Sequence, residues 1–300
     1  MSATPPPADA DAQGDHPQDV ADRTQSGGRD ALFDGGYVRA QASFFDDVRA
    51  SWRLHPMWRT FAWDEIQQRY RRSRLGIAWI VLSYLVFVLL ITVFFGGFSR
   101  KDDGAFLSYV AIGFAVFTFL LGNLIDGCAV FKSGRVWILS TDLPYGVFVF
   151  KSIARSSFVL LLNLVCAFLL LLLVGWRPTA LAWLSVPALA VTLGAAVWVQ
   201  YLFGLLGARF RDVEFLIQTL GRLLFFTTPI LWVHEERGGL VRQISTFNPF
   251  THFVEIVRAP LLGEVPERAS WLVVAGLCLG GLLVTNLYAR RERARLPFYV

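Results

Sequence analysis

The chain has 300 residues, a formal net charge of +5 and a mean hydropathy of +0.49, and 55% of its residues are hydrophobic. A soluble domain holds about 45–50% apolar residues; here they come in long blocks, which excludes an ordinary soluble enzyme and points to an all-α polytopic membrane protein. Cys128, Cys166 and Cys278 lie apart inside apolar blocks, so neither a disulfide framework nor a cysteine metal site is expected.

Residues 1–36 are rich in Pro, Asp, Gln and Gly, and carry seven Asp against two Arg, a local charge of −5. With so little to bury, they read as a disordered acidic tail. They lack a basic start followed by an apolar core, so the insertion signal is expected in the first span rather than in a secretory leader. The remaining +10 suits anionic lipid or an anionic substrate, and positive-inside bias alone would also produce it.

Residues 37–76 are amphipathic. Phe44 and Phe45 open a short helix ending near Trp52, and Pro56 separates it from the next. There Trp58, Phe61, Ala62 and Ile66 recur at helical spacing among Arg59, Glu65, Gln68 and Arg69. Such a helix lies in the membrane interface, or packs on a cytoplasmic partner.

Six spans are expected, at about 77–98, 105–131, 156–175, 181–208, 215–233 and 270–289, each near the ~20 residues that cross a bilayer. The second holds Asn123 and Asp126. An acid inside a span is a functional candidate, although Asp126 stands close to Lys132 and so to the headgroups. Gln200 falls in the fourth span, and Gln218, Arg222 and the helix-breaking Pro229 in the fifth. Gly276 and Gly280 form a small-xxx-small pair in the sixth.

The loop 132–155 carries a short helix with Arg135, Trp137, Ile138 and Leu139. An exposed face of that kind suits docking into a partner groove, or anchoring of Trp137 at the interface. Between spans five and six, the segment 244–263 is too short and too charged to cross fully. It reads as a re-entrant gate, or as an outer loop with one amphipathic helix. Its gate residues are Asn248, Pro249, Glu255 and Arg258. The last two share one helix face and are expected to hold the segment closed by pairing with each other or across a dimer.

With both ends inside, fourteen Lys or Arg residues fall at the cytoplasmic edges and seven outside, which sets both termini in the cytoplasm. No Gly-x-x-x-x-Gly-Lys-Ser/Thr loop, no His-Glu-x-x-His and no nucleophile triad occurs. The chain is therefore expected to be no enzyme, to hold no metal or cofactor itself, and to take its energy from a separate subunit that binds ATP and Mg.

Phe225-Phe226-Thr227-Thr228-Pro229-Ile230-Leu231-Trp232, then Asn248-Pro249 and Glu255 to Gly263, resemble the permease subunit of ABC-type (type-2) polysaccharide exporters, the family of O-antigen, capsule and teichoic-acid export. Arg69 to Ser73 with Leu75-Gly76, Gly207 to Asp212, and the tail Arg293 to Val300 match as well, in the family's order over about residues 40–300. The chain departs from the lipopolysaccharide branch at Phe117, Leu162 and Tyr299, which bears on the branch and the glycan. The resemblance implies a homodimer in the bacterial inner membrane, two ATP-binding-cassette ATPase partners, a lipid-linked glycan as substrate, and no nucleic acid. It makes Arg135 to Leu139 the coupling helix. Sugars slide along aromatic faces, so Phe225, Phe226 and Trp232 are pathway candidates. Arg71, Arg72, Arg209 and Arg211 would receive the lipid phosphate at the cytoplasmic edge, where their planar forks suit it. The alternatives are a same-architecture exporter of a small lipid or drug, and a membrane-embedded glycosyltransferase using Asp102-Asp103.

Overall fold

Ser43 starts the fold. Its hydroxyl accepts from the Asp46 amide while the Asp46 carboxylate accepts from the Ser43 amide, a reciprocal cap on helix α1 (Phe44–Arg53). The computed structural model describes residues 43–71, 73–236 and 238–300, so the acidic tail expected at 1–36 lies outside the described residues, as does Arg72. Helix α2 (His55–Tyr70) follows, with Pro56 in its first turn. It buries Trp58, Ala62 and Ile66, four residues apart on one stripe, and Trp58 stacks on Phe150.

The long apolar helices are α3 (Ala78–Phe95), α4 (Asp103–Ser133), α6 (Gly146–Leu173), α7 (Ser185–Arg209) and α11 (Arg268–Glu292). With their helical extensions, these five are long and apolar enough to cross a membrane. Helix α4 is the hub, packing against α3, α6, α7 and two later helices. Val110, Ala111, Ala115 and Val116 are fully buried, which explains why this helix is apolar all round. Helix α7 reaches α4 closely because a Cβ on Gly207 would collide with the Cys128 carbonyl. In α11 the close contact is at Gly281, where a Cβ would come within 2.6 Å of Trp198. Gly276 and Gly280, singled out by sequence, have nothing among the described residues within 4 Å of where a Cβ would lie.

The loop expected over 132–155 is mostly helical. Helix α4 runs to Ser133, α5 (Arg135–Ser140) follows at once, and α6 begins at Gly146.

The fifth expected span is broken. Helix α8 (Asp212–Thr227) has 16 residues and stops before Pro229. Its Glu214 meets Lys132 at one end of α4, 3.0 Å apart. Farther on, Glu236 accepts from the Arg100 amide at 2.9 Å, beside the other end of α4. Residues 212–236 therefore run the length of α4, first as helix and then as turns and a short 3-10 helix. A helical hairpin follows, α9 (Gly239–Phe247) and α10 (Pro249–Leu261). Phe250 near its tip packs on Phe117 in the middle of α4. The far end of α10 returns to the turn between α6 and α7, where Trp176 Nε1 donates to the Leu261 carbonyl at 2.7 Å. The hairpin thus starts and finishes at the same end of α4. The chain closes with the short helix α12 (Leu296–Tyr299), packed against α7.

Candidate functional site

The functional side chains fall at three levels along α4. At the hairpin level, Asn248 caps α10 by accepting from the Phe250 amide, with Pro249 at the first helical position. The Asn248 amide donates to the hydroxyls of Thr227 (3.0 Å) and Thr228 (2.8 Å), tying the hairpin tip to the end of α8. Glu255 and Arg258 do pair, at 2.9 Å, but Arg258 is only 1% exposed. Its guanidinium also donates to the Pro229 carbonyl at 2.7 Å and covers the Tyr109 ring. The structure puts Arg258 in the core, although its charge alone would have suggested a surface position. His252, three residues past Pro249, is buried between the Ser270 hydroxyl and the Thr246 carbonyl.

Of the pathway candidates, Phe225 is held against Phe87 and Phe117. Phe226 is exposed, and Trp232 stacks on His234.

Below the hairpin lies a polar layer. Asn123 Oδ1 accepts from Gln200 Nε2 at 2.6 Å and from Ser156 Oγ at 3.1 Å, which satisfies a buried amide among three helices. One turn on, Asp126 meets Arg155 at 2.8 Å. Arg155 also bonds Glu65 of α2, and Lys151 meets Glu65 at 2.9 Å. Four charges in balance thus join α2, α4 and α6. Burial pushes the Glu65 carboxyl up, but Lys151 and Arg155 outweigh it and hold it below the usual glutamate range.

The third level carries the docking and arginine candidates. In α5, Val136, Trp137 and Leu139 are exposed, whereas Ile138 is buried, so the outward face is Val-Trp-Leu rather than Trp-Ile-Leu. Arg135 is exposed at its start. The Trp137 ring lies 5.5 Å from Phe61 of α2, and the two helices flank a cavity of about 450 Å³ lined also by Asp64, Gln68 and Phe148. Arg71 ends α2 and lines a neighbouring hollow with Gln67 and Tyr70. Arg209 is engaged by Glu292, which also accepts from the Tyr299 hydroxyl, while Arg211 is exposed.

The profile of the ABC-2 type transporter family matches residues 57–262, which takes in all three levels. The chain belongs to this family. Known ABC-2 relatives carry a more specific title. The chain is 23% identical over 74% of its length, and 88% of the relative's, to the "O-antigen export system permease protein RfbA" of Klebsiella pneumoniae. It is 24% identical to a protein of the same name from Myxococcus xanthus, over 56% of this chain and 65% of that one. This ABC-2 chain is accordingly a multi-pass membrane protein.

Sequence reasoning missed one cluster in this ABC-2 chain. Asp47 of α1 is fully buried, accepts from the amides of Tyr145 and Gly146, and pairs with buried Arg293. Asp47 follows another acid, Asp46, in a helix of surface character, so nothing in its neighbours marks it. The Asn123–Gln200 bond was more accessible: each is an isolated amide inside an apolar block, and such groups seek one another.

Proposed function

We propose that this chain is the membrane subunit of an ATP-driven ABC exporter that moves a lipid-linked polysaccharide across the bacterial inner membrane. The observation that carries the reading is the match to permeases named for O-antigen export, sustained over 88% of one relative. Two copies enclose the path, and two ATPase subunits dock below. The exposed Val136, Trp137 and Leu139, beside the cavity under α2, suit that docking. Arg71, Arg72, Arg209 and Arg211 receive the lipid phosphate at the cytoplasmic edge.

In this reading, residues 212–236 make a sixth crossing, broken at Pro229, and α9–α10 form the re-entrant gate. Both termini are then cytoplasmic. A backbone that leaves helical form inside the bilayer must be covered by protein, and burial of Thr228, Ile230, Leu231 and Val233 meets that need.

The test is reconstitution with the cognate ATPase in vesicles that contain lipid-linked glycan. ATP-dependent movement of the glycan is expected, with Trp137→Glu abolishing it while insertion stays normal. Movement of small lipids but not of glycan would overturn the substrate class. Single cysteines at Ser133 and Gly239 should label from opposite sides of the membrane, and same-side labelling would remove the sixth crossing.

A further inference from the structure

Helix α8 touches the rest of the chain along one stripe. Ile217 and Gly221 are buried there, and a Cβ on Gly221 would lie 2.7 Å from Leu121 of α4. The remaining surface divides into two flanks when residues are set about 100° apart. Leu216, Leu220 and Leu223 form one. Phe215, Gln218, Thr219, Arg222 and Phe226 form the other, and all eight are exposed.

The first flank is hydrocarbon throughout and suits acyl chains. The second carries every polar side chain between Phe215 and Phe226. Arg222 lies ten residues beyond Asp212, a rise of about 15 Å, or half of a ~30 Å hydrocarbon layer. It makes no hydrogen bond or ion pair with any described residue. Glu214, on the same helix, is taken by Lys132. A guanidinium at that depth is costly against lipid, so it faces water or a charged partner, and here it shares its flank with an amide and a hydroxyl.

We propose that Arg222, with Gln218 one turn nearer the cytoplasm, is an oxyanion-binding station on a water-filled face of α8, taking a phosphate-like group of the cargo at mid-depth. This rests on the reading of the chain as the wall of an export path. A planar guanidinium fork can hold two oxygens of such a group at once, and Gln218 supplies a further donor.

The test needs no transport. Gln218→Cys is labelled in membrane vesicles with sulfonatoethyl and with trimethylammonioethyl methanethiosulfonate, against the background of the native cysteines. Labelling is expected with both, and faster with the anion. Adding Arg222→Gln should lower the anion-to-cation rate ratio about three- to tenfold, whereas Arg222→Lys should keep most of it. Inorganic pyrophosphate should slow labelling when Arg222 is present and lose that effect in Arg222→Gln. No labelling in vesicles, with full labelling after unfolding in detergent, means a flank facing lipid or a second copy and overturns the proposal. An unchanged rate ratio, or no protection by pyrophosphate, overturns it as well. Failure to export glycan would sink the function proposed above and leave the labelling result standing, while a lipid-facing flank would leave that function standing.

Discussion

The guanidinium of Arg258 lies over the ring of Tyr109, 3.6 Å from its centroid. This contact binds the outgoing helix of the hairpin, α10, to the hub helix α4. It adds to the bonds that this buried cation makes to Pro229 and Glu255. Arg258 therefore anchors the hairpin at this position. Replacing Arg258 with Met strands the Glu255 carboxylate and the Pro229 carbonyl, and should cost about 3–5 kcal/mol. Tyr109→Leu loses the ring face and the hydroxyl that accepts from the His234 amide, and should cost about 2–3 kcal/mol. Thermal unfolding of the purified chain checks both. Unchanged melting of Arg258→Met would show that the hairpin is held elsewhere.

The pairing of Asp126 with Arg155 accounts for an acid inside a span without any catalytic role. Its energy is best read by a double-mutant cycle, because Arg155 also serves Glu65. Asp126→Ala and Arg155→Ala should each destabilise the chain. The double variant should be less costly than their sum by roughly 1 kcal/mol, within the usual range for contacting charges. Strict additivity would mean that the two side chains do not share an ion pair in the membrane.

Hydrophobic blocks made the five long helices legible, since a crossing segment must be apolar over its whole length. That 244–263 does not form a long apolar helix was legible for the same reason in reverse, but the first helix of the hairpin, beginning at Gly239, was not. Sequence could not show where the inward faces lay. Ile138 and Trp137 look alike as docking residues, yet only packing in the folded chain decides that Ile138 turns inward. Gly276–Gly280 and Gly204–Gly207 are likewise both glycine pairs inside apolar blocks. Only the second pair has a neighbouring helix within reach. Of the site residues, Asn248 was readable as a helix cap before Pro249, whereas burial of Arg258 needed Tyr109, 149 positions away.

Docking of α2 should depend on pH through Glu65. Its carboxyl is pushed up by burial and pulled down further by Lys151 and Arg155, so its folded pKa lies below the ordinary value. The unfolded chain therefore takes the proton first as pH falls. The stabilisation is whole above the ordinary glutamate pKa and is lost as pH drops through the folded one. Protection against hydrogen exchange over residues 55–70, taken relative to the intrinsic rate at each pH, should fall on acidification below that range and stay flat from neutral pH down to it. Glu65→Gln should remove much of the acid dependence and start from weaker protection at neutral pH. An identical acid profile in that variant would assign the dependence to another group.

Asp47 and Arg293 close the chain on itself, since one belongs to α1 and the other to the turn after α11. Both side chains are almost wholly shielded, at 0% and 2% exposure. Asp47 also takes the amides of Tyr145 (3.1 Å) and Gly146 (2.6 Å), the unsatisfied donors at the start of α6. A Cβ on Gly146 would come within 2.6 Å of Ser51 Oγ, so the approach of α1 to α6 requires glycine there. Asp47→Ala takes the counter-charge from a buried cation, which keeps the Ser43 carbonyl, removes the acceptor that Asp47 gives the Tyr145 and Gly146 amides, and should cost about 3–5 kcal/mol. Asp47→Ala with Arg293→Met removes both charges and should recover part of that loss, because an uncompensated charge is the larger penalty. Deleting residues 293–300 from an otherwise intact chain should release α1 to proteolysis, while Phe298→Ala, at an exposed side chain of the same tail, should not. If the double variant melts below Asp47→Ala alone, charge compensation does not hold these three elements together.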